Sequence, residues 1–187
     1  MKLGYCLTGS FCTFARSIAA LERLVALGYD VQPIMSENAY ATDTRFGAAA
    51  LHREKIEAIC GRKIIHTVKD AEPLGPADPL DLLIIAPCTG NTLAKLARGI
   101  TDTAATMAAK AHLRRDRPLV IALSSNDAMS QNLGSIAALI CRQAVTFVPM
   151  KQDDPTAKPH SLVADFNLIE ECVECALRSE QKRPLFL

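Results

Sequence analysis

Short aliphatic runs alternate with helical patterns along this sequence, and this alternation leaves the chain few possible folds. The two most apolar runs, Leu82–Ala86 and Leu119–Leu123, have the length of strands and contain no polar residue. Strands of this composition are buried on both faces, as in parallel sheets that helices cover on each side. Repeated strand–helix units joined by right-handed crossovers build such a sheet. The sequence therefore predicts an α/β protein.

The remaining elements follow from the same patterns. Further strands are predicted at 3–8, 30–35, 63–68 and 146–148, and helices at 14–27, 47–60, 91–98, 101–113, 132–142 and 165–178. Pro33 favours an edge position for the second strand, because proline donates no ladder hydrogen bond. Three prolines mark 72–79 as a loop, and 151–164 is a second loop before the closing helix. We expect one doubly wound (Rossmann/flavodoxin-like) domain over 1–187, with a parallel sheet and helices on both faces.

The composition excludes several classes of protein. Lys and Arg number 21 against 20 Asp and Glu, so the chain lacks the basic surface that binds nucleic acid through counterion release. No apolar run approaches the ~20 residues of a membrane span, and the first residues lack a signal-peptide pattern. Seven cysteines, an odd number, favour reduced thiols. We therefore expect a cytoplasmic protein that binds neither nucleic acid nor a membrane.

Polar segments follow three of the predicted strands. They are Thr8-Gly9-Ser10, the run from Ala86 to Thr92, and the run from Ser124 to Met129. Ligands of doubly wound sheets bind beyond the carboxyl ends of the strands, and the amides of helix N-termini attract anions such as phosphate. Each segment alone could be a tight turn or a helix cap. Ser10 stands where a Walker loop requires lysine, so the first segment is not that motif.

Together, these three segments resemble the flavoprotein family of FMN-dependent cysteine decarboxylases, which includes phosphopantothenoylcysteine decarboxylase and lantibiotic peptide decarboxylases. The resemblance covers roughly 1–150 and runs unbroken over 86–102. It implies that FMN is the cofactor, with Gly9 and Ser10 at its phosphate or ribityl chain. Asn126 matches an asparagine that holds the substrate carboxylate in those enzymes, which makes it the catalytic candidate. The other cofactor residues that the resemblance implies are Ser36, Thr89, Asn91, Thr92 and Met129.

Two departures from the decarboxylases concern the chemistry. Pro73 stands where they carry a histidine, and His66 lies too far upstream unless the proline-rich loop compensates. The segment 152–166 replaces their cysteine- and glycine-containing clamp. This segment is similar to that of dipicolinate synthase B subunits, a branch of the flavoprotein family from spore-forming bacteria.

The likeness to that branch implies an oxidoreductase subunit that acts during sporulation. With an A subunit that binds NADP, it would oxidise dihydrodipicolinate to dipicolinate, and Lys158, His160 and Ser125 would bind the small dicarboxylate. Two alternatives stay open: an FMN-dependent decarboxylase of a cysteinyl substrate, and a non-catalytic, flavin-binding regulatory subunit. Related flavoproteins form trimers or dodecamers, which implies a homo-oligomer. The alanine-rich segment 101–111 would pack against a neighbouring copy or in the core.

The cysteines and histidines show no spacing typical of a metal site. Cys172 and Cys175 form a lone CxxC pair, whereas zinc needs a second pair, so both are expected to be packing residues. Cys12 is the cysteine best placed for activation, although a buried structural role is favoured. The three histidines outside the C-terminal loop are expected on helix surfaces or at strand ends: His52, His66 and His112.

Overall fold

A seven-stranded sheet lies at the centre of the computed structural model, which describes residues 1–75 and 77–187. The strands are β1 Lys2–Leu7, β2 Asp30–Met35, β3 Leu82–Cys88, β4 Leu119–Ser125, β5 Val145–Phe147, β6 Met150–Lys151 and β7 Leu162–Ala164. The helices are α1 Phe14–Ala26, α2 Glu37–Ala41, α3 Ala49–Cys60, α4 Val68–Ala71, α5 Gly90–Arg98, α6 Ala104–Leu113, α7 Leu133–Ile140 and α8 Ile169–Leu177. Single 3₁₀ turns occur at Phe11–Thr13, Glu72–Leu74 and Phe166–Leu168.

Five of the strands run parallel in the order β2-β1-β3-β4-β5. In this doubly wound order the switch point lies between β1 and β3, and ligands bind in the crevice there. β4 extends beyond β5, so its end at Ser124 and Ser125 pairs antiparallel with β7, which pairs with β6. The predicted single α/β domain is confirmed.

The sheet ends at β2, as the proline in that strand predicts. Beyond β2, the described residues form an isolated bridge between Ile34 and Ile65 and no further strand, so the predicted strand at 63–68 is wrong. The hydroxyl of Thr67 accepts a hydrogen bond from the N–H of Asp70 and starts α4, which turns the chain away from the sheet edge. The loop predicted at 72–79 begins with a 3₁₀ turn, and Pro76 within it lies outside the described residues.

Two apolar layers cover the sheet. Tyr5, Leu7 and Ile84 face the layer formed with α1, α2, α3 and α8. Cys6, Ile85 and Ile121 face the layer formed with α4, α5, α6 and α7. This alternation explains why the strands read as continuous apolar runs. In the part of the chain that the structure describes, no helix combines the length and apolarity needed to cross a bilayer.

The alanine-rich helix α6 belongs to the core. It begins at Ala104 because the side chains of Thr103 and Thr106 form a reciprocal capping box. Five of its alanines are buried within the chain, so of the two placements left open the core is confirmed: Ala104, Ala105, Ala108, Ala109 and Ala111.

His112, near the end of α6, is buried with 1% of its surface exposed. Its Nε2 donates to the carbonyl of Pro118 at 2.9 Å, and burial lowers the pKa of the imidazole. The expectation that this histidine lies on a helix surface is therefore wrong. The physical reason is that the chain returns toward β4 directly beneath the last turn of α6.

Candidate functional site

Thr8 fastens the carboxyl ends of β1 and β3 together at the switch point. Its buried hydroxyl donates to the carbonyl of Pro87 at 2.8 Å and accepts from the N–H of Thr89 at 2.9 Å. Its own N–H donates to the same Pro87 carbonyl at 3.1 Å. These bonds fix the turn at Gly9 beside the first turn of α5.

The end of β4 joins the same edge through two serines. The hydroxyls of Ser10 and Ser124 lie 2.8 Å apart, within hydrogen-bond distance. All three polar segments predicted from the sequence therefore meet at one place. The two serines are far apart in the chain. They come into contact because β1 and β4 lie on either side of β3.

A cavity of about 680 Å³ opens at this edge. Its volume falls within the ~300–1,000 Å³ typical of small-molecule sites. Most of the residues that line it carry hydroxyl, amide or charged groups, and two are phenylalanines. The lining residues are Gly9, Ser10, Phe11, Cys12, Arg45, Phe46, Thr89, Gly90, Asn91, Ser124, Ser125, Asn126, Asp127, Asp153, Lys158, Ser161 and Val163.

Asp127 organises the turn that follows β4. Its carboxylate accepts from the hydroxyl of Ser125 and, at 3.0 Å to each oxygen, from the Asn132 amide. The backbone of α5 approaches this group so closely that a Cβ on Gly90 would lie 2.6 Å from Ser125 Oγ. Any other residue at the start of α5 would therefore displace these side chains. The turn in this way holds Asn126 at the cavity wall.

The loop between β6 and β7 forms another part of the wall. Lys158 Nζ donates to Asp153 at 2.8 Å, and the Ser161 hydroxyl donates to the other oxygen of the same carboxylate. The Lys158 ammonium, followed by the Ser161 hydroxyl, holds the pKa of Asp153 below its usual range. The Asp153 carboxylate in turn raises the pKa of Lys158. The charge of Lys158 is thus balanced within the loop.

The comparison with known proteins gives this site a family. The sequence model of the family described as Flavoprotein matches residues 1–176. The chain belongs to the Flavoprotein family.

Two dipicolinate synthase B subunits are similar to this flavoprotein from end to end. That of Bacillus subtilis (strain 168) is 41% identical over 186 residues, which are 100% of this chain and 93% of the relative. The crystal structure of the B subunit of dipicolinate synthase from Bacillus halodurans C superposes with a TM-score of 0.91 at 40% identity. That alignment covers 100% of this chain and 95% of the other.

A third comparison extends the fold to the decarboxylases. The FMN-dependent cysteine decarboxylase SpaF superposes with a TM-score of 0.69 at 24% identity, over 95% of each chain. At this identity the likeness shows a shared fold.

The cavity of this flavoprotein brings together most of the site residues predicted from the sequence. Among the predicted cofactor residues, Gly9, Ser10, Thr89 and Asn91 line it, and so do Asn126, Ser125 and Lys158. Their functional roles stay predictions.

Four predicted site residues lie outside the cavity lining. The Ser36 hydroxyl accepts from the N–H of Ala39 and caps α2, and Thr92 lies behind Thr89, whose hydroxyl donates to it at 3.0 Å. The N–H of Met129 donates to the carbonyl of His160 at 3.0 Å, which joins the turn after β4 to the C-terminal loop. Each of the four therefore has a structural role of its own, and its assignment to a ligand stays a prediction.

Cys12 is exposed and lines the cavity, so the burial favoured from the sequence is wrong. It follows Ser10 in a 3₁₀ turn that points the side chain outward before α1 begins. Cys6 and Cys88, in contrast, lie inside the sheet, where burial raises the pKa of each thiol. Of the CxxC pair, Cys172 is buried and Cys175 half-buried, in agreement with packing roles.

Sequence reasoning missed Arg45, Phe46 and Asp127. Arg45 and Phe46 lie between α2 and α3, away from any strand end in the sequence. Asp127 follows Asn126 directly, and its position after a buried strand was a signal that could have found it. For Arg45 and Phe46 the signal was weaker: both follow β2, and β2 ends at the same edge of the sheet as β1 and β3.

Proposed function

We propose that this flavoprotein is the B component of a dipicolinate synthase that acts during sporulation. With an A subunit that supplies NADP, it oxidises dihydrodipicolinate to dipicolinate. The observation that carries the proposal is the 41% identity to the dipicolinate synthase B subunit of B. subtilis over the full chain. The C-terminal loop supports it, because it contributes Lys158 to the cavity in place of the decarboxylase clamp.

The residues of the cavity fit FMN as the cofactor. Anionic phosphate is matched by the Gly9–Ser10 turn, by hydroxyl donors and by the N-terminal amides of α5. The polar edge of a flavin ring is matched by the amides of Asn91 and Asn126, which can both donate and accept. When bound, FMN supplies a planar redox-active ring. The protein supplies orientation and electrostatics around it.

The reaction requires a defined substrate orientation. Dihydrodipicolinate becomes aromatic by losing a hydride and a proton, and NADP of the A subunit is the hydride acceptor. Asn126, held by the Asp127 turn, is positioned to hydrogen-bond a substrate carboxylate, and Ser125 and Lys158 lie on the same wall. This chain therefore binds and orients the ring while its partner takes the hydride.

The alternative, decarboxylation of a cysteinyl substrate, has less support from the cavity. Among the described residues that line it there is no histidine. His66 stacks on Tyr40 with ring centroids 3.7 Å apart, in a surface depression elsewhere. Pro73, which stands where the decarboxylases carry a histidine, lies in the 3₁₀ turn before Gly75.

Two assays run side by side test the proposal. The chain is incubated with its A subunit, FMN, NADP and dihydrodipicolinate, and separately with FMN and phosphopantothenoylcysteine. We expect dipicolinate to form in the first mixture and no carbon dioxide to be released in the second. Robust carbon dioxide release without dipicolinate formation would replace the proposal with the decarboxylase.

Homo-oligomerisation is part of the proposal. One structural neighbour, an FMN-dependent UbiX-like decarboxylase from Escherichia coli O157:H7, is dodecameric. In this chain α7 is composed of uncharged residues, yet only Ile136 and Leu139 are buried, and Leu133 is 51% exposed. We assign the contact between copies to this exposed face of α7.

A further inference from the structure

Arg45 reaches the cavity from a tightly fixed turn between α2 and α3. The N–H of Thr44 donates to the carbonyl of Gly47 at 3.1 Å, and the N–H of Gly47 donates to the carbonyl of Thr44 at 3.0 Å. Gly47 has a φ of +134°, a backbone conformation that residues with side chains rarely adopt. The turn is anchored to α3, because the N–H of Ala49 donates to the Asp43 carboxylate at 2.8 Å. Arg45 therefore extends from a rigid support.

The guanidinium of Arg45 has an aromatic neighbour and no acidic one. Its Cζ lies 4.9 Å from the centroid of the Phe46 ring. Within residues 1–75 and 77–187, no carboxylate lies close enough to Arg45 to form an ion pair, whereas Lys158 is paired with Asp153. Stacking uses the flat face of a guanidinium and leaves its N–H edge free to donate.

The cavity contains two cations, Arg45 and Lys158, and two carboxylates, Asp127 and Asp153. The lining is therefore not positive overall, and an anionic ligand must be attracted by an individual group. Because Asp153 already balances the charge of Lys158, Arg45 is the lining cation whose charge no carboxylate among the described residues balances. A guanidinium also matches the two oxygens of a carboxylate in a planar, bidentate contact.

We propose that Arg45 binds one carboxylate of the dicarboxylate substrate and determines the specificity of the site for it. This rests on the proposed function. Phe46, 44% exposed at the cavity, holds the guanidinium plane and offers an apolar face to the ring of the substrate. A cofactor phosphate presents the same anionic oxygens. The Gly9–Ser10 turn and the N-terminal amides of α5 supply donors for that phosphate on other elements of the site, which leaves Arg45 for the carboxylate.

Isothermal titration calorimetry of the full chain with its A subunit and FMN tests this assignment. Dipicolinate, the stable product, is titrated into wild type, Arg45→Gln, Arg45→Lys and Arg98→Gln. Arg98 is a matched control, because it is exposed at the end of α5 and outside the cavity. In a separate titration, FMN is added to the wild type and to each variant after bound FMN has been removed. Circular dichroism checks that the variants fold.

We expect Arg45→Gln to weaken dipicolinate binding by at least about tenfold, as loss of a hydrogen bond to a charged group does. Arg45→Lys should bind at an intermediate level, and FMN affinity should stay unchanged in all variants. If wild type binds dipicolinate and Arg45→Gln binds it equally well, the role of Arg45 is wrong and the proposed function stands. Loss of FMN affinity alone assigns Arg45 to the phosphate. Failure of wild type to bind dipicolinate contradicts the proposed function itself.

Discussion

At the scale of single residues, hydroxyl groups hold the site together. Thr8 joins β1 to β3, and Ser10 meets Ser124 of β4, so three strand ends are fixed by uncharged hydrogen bonds. A hydroxyl has one donor and two acceptor lone pairs, so these groups can also hydrogen-bond a ligand. The charged groups that line the cavity come from the surrounding turns and loop.

Gly9 tests the location of the phosphate. A Cβ at this position would have ordinary contacts, since its nearest neighbour is a Phe11 ring carbon at 3.6 Å. In Gly9→Asp, two like charges ~4 Å apart at an effective dielectric near 20 repel by ~4 kcal/mol. FMN affinity should therefore fall roughly a thousandfold, because ~1.4 kcal/mol corresponds to tenfold. Gly9→Asn is the neutral control, and flavin fluorescence measures both. If the folded Asp variant binds FMN as tightly as the Asn variant, the phosphate lies elsewhere.

Cys12 and Cys141 provide an internal comparison, because both thiols are exposed but only Cys12 lines the cavity. Iodoacetamide should label both quickly and leave the buried thiols Cys6 and Cys88 unmodified. Saturating FMN should slow labelling of Cys12 several-fold and leave Cys141 unaffected, as measured by peptide mass spectrometry. Equal rates for Cys12 with and without FMN would show that the cofactor binds away from this cavity.

At the scale of elements, the contact between α5 and the turn after β4 shapes the site. In Gly90→Ala the new methyl group would lie 2.6 Å from Ser125 Oγ and 2.7 Å from Asn132 Nδ2, so the turn must move. Crowding of this kind costs ~1–3 kcal/mol, which urea unfolding would detect, and ligand affinity should fall as well.

Gly9→Ala is the matched control for that substitution, with both variants unfolded in the absence of FMN. It adds the same methyl group where the nearest atom, a Phe11 ring carbon, lies at 3.6 Å, and should raise the free energy of unfolding by up to ~1 kcal/mol. Equal unfolding midpoints for the two variants would mean that the close approach at Gly90 carries no energetic weight.

The elements also show how far the sequence could predict this structure. Leu82–Ala86 and Leu119–Leu123 were identifiable as central strands because only a doubly covered sheet accommodates such runs. The site residues that directly follow strands were identifiable because parallel strands share one carboxyl edge. Arg45 was not, because its position depends on how the turn at 44–47 is anchored to α3. His112 was misplaced because the return of the chain beneath α6 leaves no periodic signal.

At the scale of the whole molecule, α7 is the surface that a second copy would cover. Light scattering of the wild-type chain should show a homo-oligomer, and Leu133→Glu should dissociate it by placing a charge in the contact. Leu51→Glu is the control, since Leu51 is 64% exposed on α3. A wild-type chain that is monomeric at every concentration would contradict this assignment.

We propose that three strand ends of this chain form a flavin site, and the absorbance spectrum of the purified protein tests this directly. We expect the chain to show the visible absorption bands of a flavin, or to acquire them when an equimolar amount of FMN is added. The bound flavin should remain with the protein through gel filtration. A colourless chain that also fails to retain added FMN would show that the strand ends form no flavin site.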